Sequence, residues 1–265
     1  MMDLNLDGRT ALVTGSTRGI GFATACGLAG MGARVIVHGR SDASVEGAFA
    51  RARKAVPAAT FDGVSGDLAT AAGCDRVTAQ HADVDVLVNN VGIYDFGPFE
   101  QVPDETWLHF FQVNVMSGVR MTRHYLPGMI ARDWGRVVFV SSESGAFIPP
   151  DMILYGLTKA AQLALSRGLA ETTAGTNVTV NAVLPGPTWV EQQETAIRKR
   201  AANEGVSIEE AKKNTFRVRR PTSLIKRYAA PEEVANMICY ACSPAAAVTN
   251  GAALRAEGGI VRSIV

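Results

Sequence analysis

Several classes of protein are excluded by what this sequence lacks. Cysteine is scarce: Cys26, Cys74, Cys239 and Cys242 are the four among 265 residues. Their spacing makes no secreted disulfide framework, so a reducing compartment is the simpler reading. Cys239 and Cys242 form a lone CxxC inside the run EEVANMICYAC. A structural zinc site needs two more ligands at useful spacing, and no second pair exists, so two small core residues are expected. The four histidines, His38, His81, His109 and His124, are scattered without metal-ligand spacing. An excess of one charge sign is also missing. Lys and Arg number 26 against 25 Asp and Glu, a formal net charge of +1, which argues for neither nucleic acid nor an anionic membrane as partner. No window approaches about 18 uninterrupted apolar residues, the length a membrane-spanning helix needs. The start, MMDLNLDGRT, is too short and too polar for a signal peptide. A cytoplasmic location is expected.

What is present points to a globular chain. Hydrophobic residues reach 47% and charged ones 19%, enough apolar matter for a sizeable core and too little charge for disorder. Short apolar runs alternate with helical stretches. TALVTG (10–15), RVIVHG (34–39), TFDGVSGDL (60–68), DVLVNNVG (85–92), RVVFVSS (136–142), NVTVNAVLPG (177–186) and AALRAEGG (252–259) read as seven strands. Residues 21–33, 41–56, 104–131, 155–173 and 231–242 read as helices, the last opening on Pro231. Such alternation implies right-handed crossovers and a mainly parallel sheet covered on both faces. The expected fold is α/β, Rossmann-like and doubly wound, in a single domain over 1–265. There is no internal repeat and no linker.

The first strand runs into TGSTRGIG and then directly into a helix. Gly15 permits the tight turn, Gly19 lets backbone N–H groups approach a pyrophosphate, and Gly21 lets the helix pack closely on the sheet. The helix N-terminus then faces the anion with its partial positive charge. Ser16, Thr17, Arg18 and Ile20 complete this candidate dinucleotide turn. An ordinary glycine-rich strand–helix turn is the bland alternative. The second strand ends in His38, Gly39 and Arg40, with no carboxylate for the ribose hydroxyls. Arg40, with Arg18, can grip a 2′-phosphate, which favours NADP (NADPH) over NAD. A solvated loop cation is the alternative reading of Arg40. Asp67, followed by Leu68, is placed at the adenine.

YGLTK sets Tyr155 and Lys159 four residues apart on one helix face. A fixed cation beside a phenol favours tyrosinate, so the pair suits general acid–base work near neutral pH. Alone this motif is weak. Ser142 lies 13 residues upstream, at the carboxyl end of the fifth strand, and can polarise a carbonyl through its hydroxyl. Asn114 is an awkward amide among apolar helix neighbours. Asn90 and Gly92, in NNVG at the end of the fourth strand, let backbone pass close to a ribose.

With these residues in order, the sequence resembles the short-chain dehydrogenase/reductase superfamily, in its compact single-domain branch, from about Leu6 to Gly259. TGSTRGIG, Asp67, NNVG, Asn114, Ser142, YGLTK, PGPT and the late EGG carry the resemblance. It most resembles members of the 3-oxoacyl-carrier-protein reductase type. The resemblance implies that Ser142 binds the carbonyl and Tyr155 exchanges the proton. It implies that Lys159 binds the nicotinamide ribose and lowers the tyrosine pKa. Asn114 would hold a water linking Lys159 to solvent. Pro185, Gly186 and Thr188 of PGPT would flank the nicotinamide, Thr188 bonding its carboxamide. Val91 stands where alanine is usual, and the stretch Asp67–Asp85 is short.

Residues 188–227 hold ten Lys or Arg against five Asp or Glu. In this family the region forms a lid. VSIEEAKKN within it reads as helical. Arg217, Arg219, Arg220, Lys226 or Arg227 would meet an anionic acyl thioester or carboxylate; the bland reading is a solvated lid with ion pairs or subunit contacts. The apolar tail IVRSIV and the resemblance suggest a homodimer or homotetramer. The favoured function is an NADP-dependent oxidoreductase acting on a small carbonyl or alcohol substrate, and a 3-oxoacyl thioester is one candidate. The alternatives are a nicotinamide-binding regulator without turnover and an epimerase or dehydratase of the longer branch.

Overall fold

The computed structural model describes residues 2–264. Seven strands form one sheet: β1 (Thr10–Val13), β2 (Arg34–Gly39), β3 (Phe61–Ser65), β4 (Val86–Asn89), β5 (Gly135–Val140), β6 (Val178–Pro185) and β7 (Ala253–Ala256). Their order is β3-β2-β1-β4-β5-β6-β7, and every pairing is parallel. The expectation of a mainly parallel sheet is thus exceeded. The chain winds outward from β1 to β3, returns to β4, and winds the other way to β7. Between β1 and β4 the winding reverses, and there the crevice for a ligand opens at the carboxyl ends of the strands.

Alternate strand residues feed two cores. Ala11, Val13, Val88 and Val138 pack under α1 (Gly19–Gly30) and α9 (Pro231–Cys242). Cys239 and Cys242 are buried there as free thiols. Leu12, Leu87, Val137 and Phe139 face the opposite way, against α3 (Ala71–Gln80), α5 (Ser117–Ala131) and α6 (Ile153–Glu171). The remaining helix on the sheet is α2 (Asp42–Ala55), with Ser41 capping its N-terminus.

Two helices escaped the sequence reading. Helix α3 occupies the short stretch after Asp67, started by Thr70, whose hydroxyl accepts from Gly73 N–H. Only Cys74 and Val77 of it are buried, so its apolar stripe is too thin to read. Within 188–227, α7 (Glu191–Glu204) precedes α8 (Ile208–Asn214), and the two enclose a small separate core of Ile197, Ala201 and Ala211. The helix expected over 104–131 is broken. After α4 (Asp104–Phe111), residues Gln112–Met116 form a π turn before α5 resumes. At the other end of the chain Ile264 is 96% exposed, and Val265 lies outside the described residues. Among the described residues no helix is long and apolar enough to cross a membrane.

Candidate active site

The turn after β1 is held from three sides. Gly15 and Gly19 take positive φ values of 63° and 57°, which side chains resist. Asn90, at the end of β4, donates its amide to Thr14 O at 2.9 Å and Gly15 O at 3.1 Å. From β2, His38 Nδ1 accepts from Gly15 N–H at 3.0 Å, and its Nε2 bonds Gly66 O at 3.0 Å. Burial pulls the His38 pKa down to about 4, so the ring stays neutral and keeps its acceptor on the turn. Sequence reading gave His38 no role, because its partners lie 23 and 28 residues away.

The same turn leaves donors free. Arg18 precedes α1 without a side-chain cap, so no capping side chain takes up the first N–H groups of the helix. A Cβ on Gly21 would come 2.6 Å from Gly15 O, and one on Gly39 would come 2.6 Å from Thr17 Cγ2. These residues therefore fit a dinucleotide: bare backbone at an uncapped helix start, with side chains excluded where the chain must approach closely. Ser16 is fully buried: its hydroxyl accepts from His38 N–H at 3.0 Å and its own N–H donates to His38 O at 2.9 Å, so it braces the turn against β2. Ile20 lines the cleft. Arg18 leans toward α7, with Nη1 3.4 Å from Glu191 Oε2, rather than joining Arg40 at the end of β2. Arg40 is exposed and forms no ion pair among the described residues. Asp67 follows β3 and caps its own turn through Ala69 N–H, while Leu68 is buried in the core.

A cleft of about 640 Å³ opens beside this turn. Asn90, Gly92, Ser142, Tyr155, Lys159 and Thr188 all line it. Ser142 sits just past β5. Its Oγ donates to Glu143 Oε2 at 2.6 Å and accepts from Ser144 N–H at 3.1 Å. Tyr155 and Lys159 rise from the first turns of α6, and the ammonium lies 5.6 Å from the phenol ring. Burial pushes the Tyr155 phenol up; a hydrogen bond with Ser142 opposes this and the Glu143 charge adds to it. The expected lowering of the tyrosine by Lys159 is not the governing effect. Lys159 Nζ instead donates to Val140 O at 2.9 Å and Gln162 Oε1 at 3.1 Å. Burial draws its pKa down to about 7.

Asn114 lies in the π turn, fully buried. Its side chain bonds Ile93 N–H at 2.8 Å, Ile93 O at 2.9 Å and Thr158 Oγ1 at 2.9 Å. This locks the loop after β4 to α6. Its carbonyl accepts from Gln162 Nε2, so Gln162 joins Asn114 directly to Lys159. The sequence expectation put a water between Lys159 and solvent at this place; the amide of Gln162 was not foreseen. Gly92 leaves room here, since a Cβ on it would approach Lys159 Nζ to 3.3 Å. At the end of β6, Pro185 and Gly186 lead to Thr188, whose hydroxyl donates to Gly186 O at 2.9 Å.

Residues 188–227 form the far wall. Arg220 Nε meets Glu143 Oε1 at 3.0 Å, with both side chains buried. Arg219 pairs with Asp151, and Arg227 with Glu233 at 2.7 Å. Lys226 donates to Pro221 O at 2.6 Å. Of the five cations expected to meet an anionic substrate, Arg217 alone has no such partner among the described residues.

Comparison with known proteins agrees with this geometry. The family model of the short chain dehydrogenases matches residues 9–201. An uncharacterized oxidoreductase of Bacillus subtilis, YvaG, is 44% identical over 263 residues, covering 99% of this chain and 100% of the relative. D-beta-hydroxybutyrate dehydrogenase of Cupriavidus necator is 33% identical over 97% of this chain and 99% of its own. The structure of L-sorbose reductase from Gluconobacter frateurii, complexed with NADPH and L-sorbose, superposes with a TM-score of 0.92 at 28% identity, covering 99% of this chain and all of that one. The chain therefore belongs to the short chain dehydrogenase family, as an oxidoreductase acting on alcohol and carbonyl groups.

Proposed function

We propose that the protein is an NADP-dependent reductase of a small carbonyl compound, reversible as a secondary-alcohol dehydrogenase, with Tyr155 as its acid and base. The observation that carries this is the meeting of Ser142, Tyr155 and Lys159 in one cleft beside an uncapped, glycine-lined helix start. The turn from Gly15 to Gly21 holds the pyrophosphate, Asn90, Gly92 and Lys159 the nicotinamide ribose, and Pro185, Gly186 and Thr188 the nicotinamide. When bound, NADPH supplies the hydride that the carbonyl carbon accepts. Tyr155 gives its phenolic proton to the carbonyl oxygen and takes it back in the reverse direction. Ser142 orients that oxygen. Asn114 and Gln162 hold Lys159 in place.

Arg40 supports NADP over NAD. It is an exposed cation without an ion-pair partner among the described residues, just past the end of β2, and Gly39 has no room for the carboxylate that would bind ribose hydroxyls. Residues 188–227 act as the lid. The cleft-lining Arg219 and Arg220 are matched by Asp151 and Glu143, which favours a compact neutral carbonyl over an anionic acyl carrier. We further propose a cytoplasmic homodimer or homotetramer.

The test is NADPH oxidation against a panel of sugars, hydroxy ketones, simple ketones and 3-oxoacyl thioesters. Tyr155→Phe is expected to lower kcat by about 1,000-fold, within the range for loss of a general acid. Arg40→Ala is expected to raise KM for NADPH and leave that for NADH unchanged. Undiminished turnover by Tyr155→Phe would refute the mechanism.

A further inference from the structure

The Ser142 hydroxyl has one hydrogen, and the fold commits it to Glu143. Oγ donates to Glu143 Oε2 at 2.6 Å and accepts from Ser144 N–H at 3.1 Å. Glu143 is only 4% exposed and receives Arg220 Nε on its other oxygen at 3.0 Å. An O–H bond to a carboxylate in an ion pair is roughly twice as strong as a neutral one. A plain ketone offers the site an acceptor and nothing else. To be bound by Ser142 it must draw the serine proton away from Glu143, leaving a buried carboxylate one donor short.

A hydroxyl on the carbon next to the carbonyl removes this conflict. It can donate to Glu143 while the carbonyl oxygen accepts from Ser142. When the two oxygens of such a compound are eclipsed they lie a hydrogen bond's length apart, as Ser142 Oγ and Glu143 Oε2 do. Building on the reductase reading above, we propose that Glu143 selects carbonyl substrates carrying an adjacent hydroxyl, by exchanging Ser142 for that hydroxyl as its donor. In the reduction the carbonyl carbon gains the hydride, the oxygen gains the Tyr155 proton, and a vicinal diol leaves with NADP in its oxidised form.

Two further groups on the same cleft point to a hydroxylated ligand. Tyr94 Oη is buried without a hydrogen-bond partner among the described residues, and burial pushes its pKa up to about 12, so it remains a donor. Arg220 Nη2 faces only the Met152 sulfur at 3.8 Å, a weak acceptor. Each can serve a second oxygen of the substrate.

The pair 3-hydroxybutan-2-one and butan-2-one differs by the one hydroxyl. With NADPH, kcat/KM for the hydroxy ketone is expected to exceed that for butan-2-one by about 100-fold or more, since a site built around a substrate hydroxyl rejects the analogue lacking it. In Glu143→Gln the ratio is expected to fall to about 10 or below. That variant leaves Arg220 buried without its partner, so Glu143→Gln/Arg220→Met is assayed beside it, with circular dichroism checking the fold. Binding without turnover is read by calorimetry on the Tyr155→Phe protein holding NADPH. There 3-hydroxybutan-2-one is expected to bind more tightly than butan-2-one, and adding Glu143→Gln is expected to abolish the preference. Equal kcat/KM for the two ketones, or a ratio unchanged in both Glu143 variants, overturns the proposal. Failure of every carbonyl to oxidise NADPH is a separate result, which removes the reductase reading itself.

Discussion

The glycine-turn wall of the cleft, from Thr14 to Gly21, is made of backbone and small side chains, with Arg18 its one charge. The facing wall, from Glu143 and Asp151 across to Arg219 and Arg220, is made of paired charges. The contrast follows from what each wall must do. A backbone turn presents N–H groups at fixed positions, and only glycine lets another group come that close. A wall that joins a separate helical pair to the sheet has no shared strands to fix it, and uses directional ion pairs instead. Errors should therefore act differently on the two sides: by steric exclusion on the first, by unmatched charge on the second.

The largest stability effect should come from unmatching a buried charge. Arg220→Met leaves Glu143 without its counter-charge at 6% side-chain exposure and is expected to cost about 3–5 kcal/mol in denaturant unfolding. Glu143→Gln/Arg220→Met should recover most of that loss. If the single and double variants are equally unstable, the pair is not what anchors this wall.

Acid should attack the opposite wall through His38. Its pKa is about 4 in the fold against 6.5 in its absence, with burial the main cause. Between these values the unfolded chain binds a proton that the folded chain does not, so stability falls as pH drops from 6.5 to 4. The loss is about 3 kcal/mol over that window. It should largely vanish in His38→Asn, which is checked by urea unfolding at pH 7, 5 and 4.

Gly21→Ala should cost about 1–3 kcal/mol and weaken NADPH binding, because its Cβ meets Asn90 and, at 2.6 Å, Gly15 O. Gly168→Ala is the control. No described residue lies within 4 Å of a Cβ there, in the last turn of α6, so up to about 1 kcal/mol of added stability is expected. NADPH fluorescence titration and thermal melts separate the two.

The smallest effect should belong to the exposed pair Arg227–Glu233. Arg227 and the Ala230 N–H hold the Glu233 carboxyl down to about 2 from 4.5, so any contribution is full above 4.5 and is lost as pH falls from there to about 2. Glu233→Gln at pH 7 is expected to leave Tm nearly unchanged in high salt, where exposed ion pairs are screened.

The features read from sequence were those with short-range signals. Tyr155 and Lys159 share a face because they are four apart on a helix. Gly15, Gly19 and Gly21 sit where strand meets helix, and the seven apolar runs became the seven strands. Sequence placed Arg18 beside Arg40; its pairing with Glu191, which α7 brings from 173 residues away, had no local signal. Helix α3 hid behind two buried residues, and the π turn at Asn114 behind an apparently continuous helix.

By itself the sequence determined the order of strands and helices, the phosphate-type turn and the Tyr155–Lys159 spacing, since each depends on backbone preference and periodicity within about one helical turn or strand. Only the tertiary structure decided how Ser142 is used. Glu143 stands next to it in the chain, but Arg220 comes from 77 residues away and Gln162 reaches Asn114 across 48. Such pairs depend on which loops the parallel sheet gathers at its carboxyl edge. No local pattern records that, because the crossover connections, rather than the residues near each partner, set the distance between them.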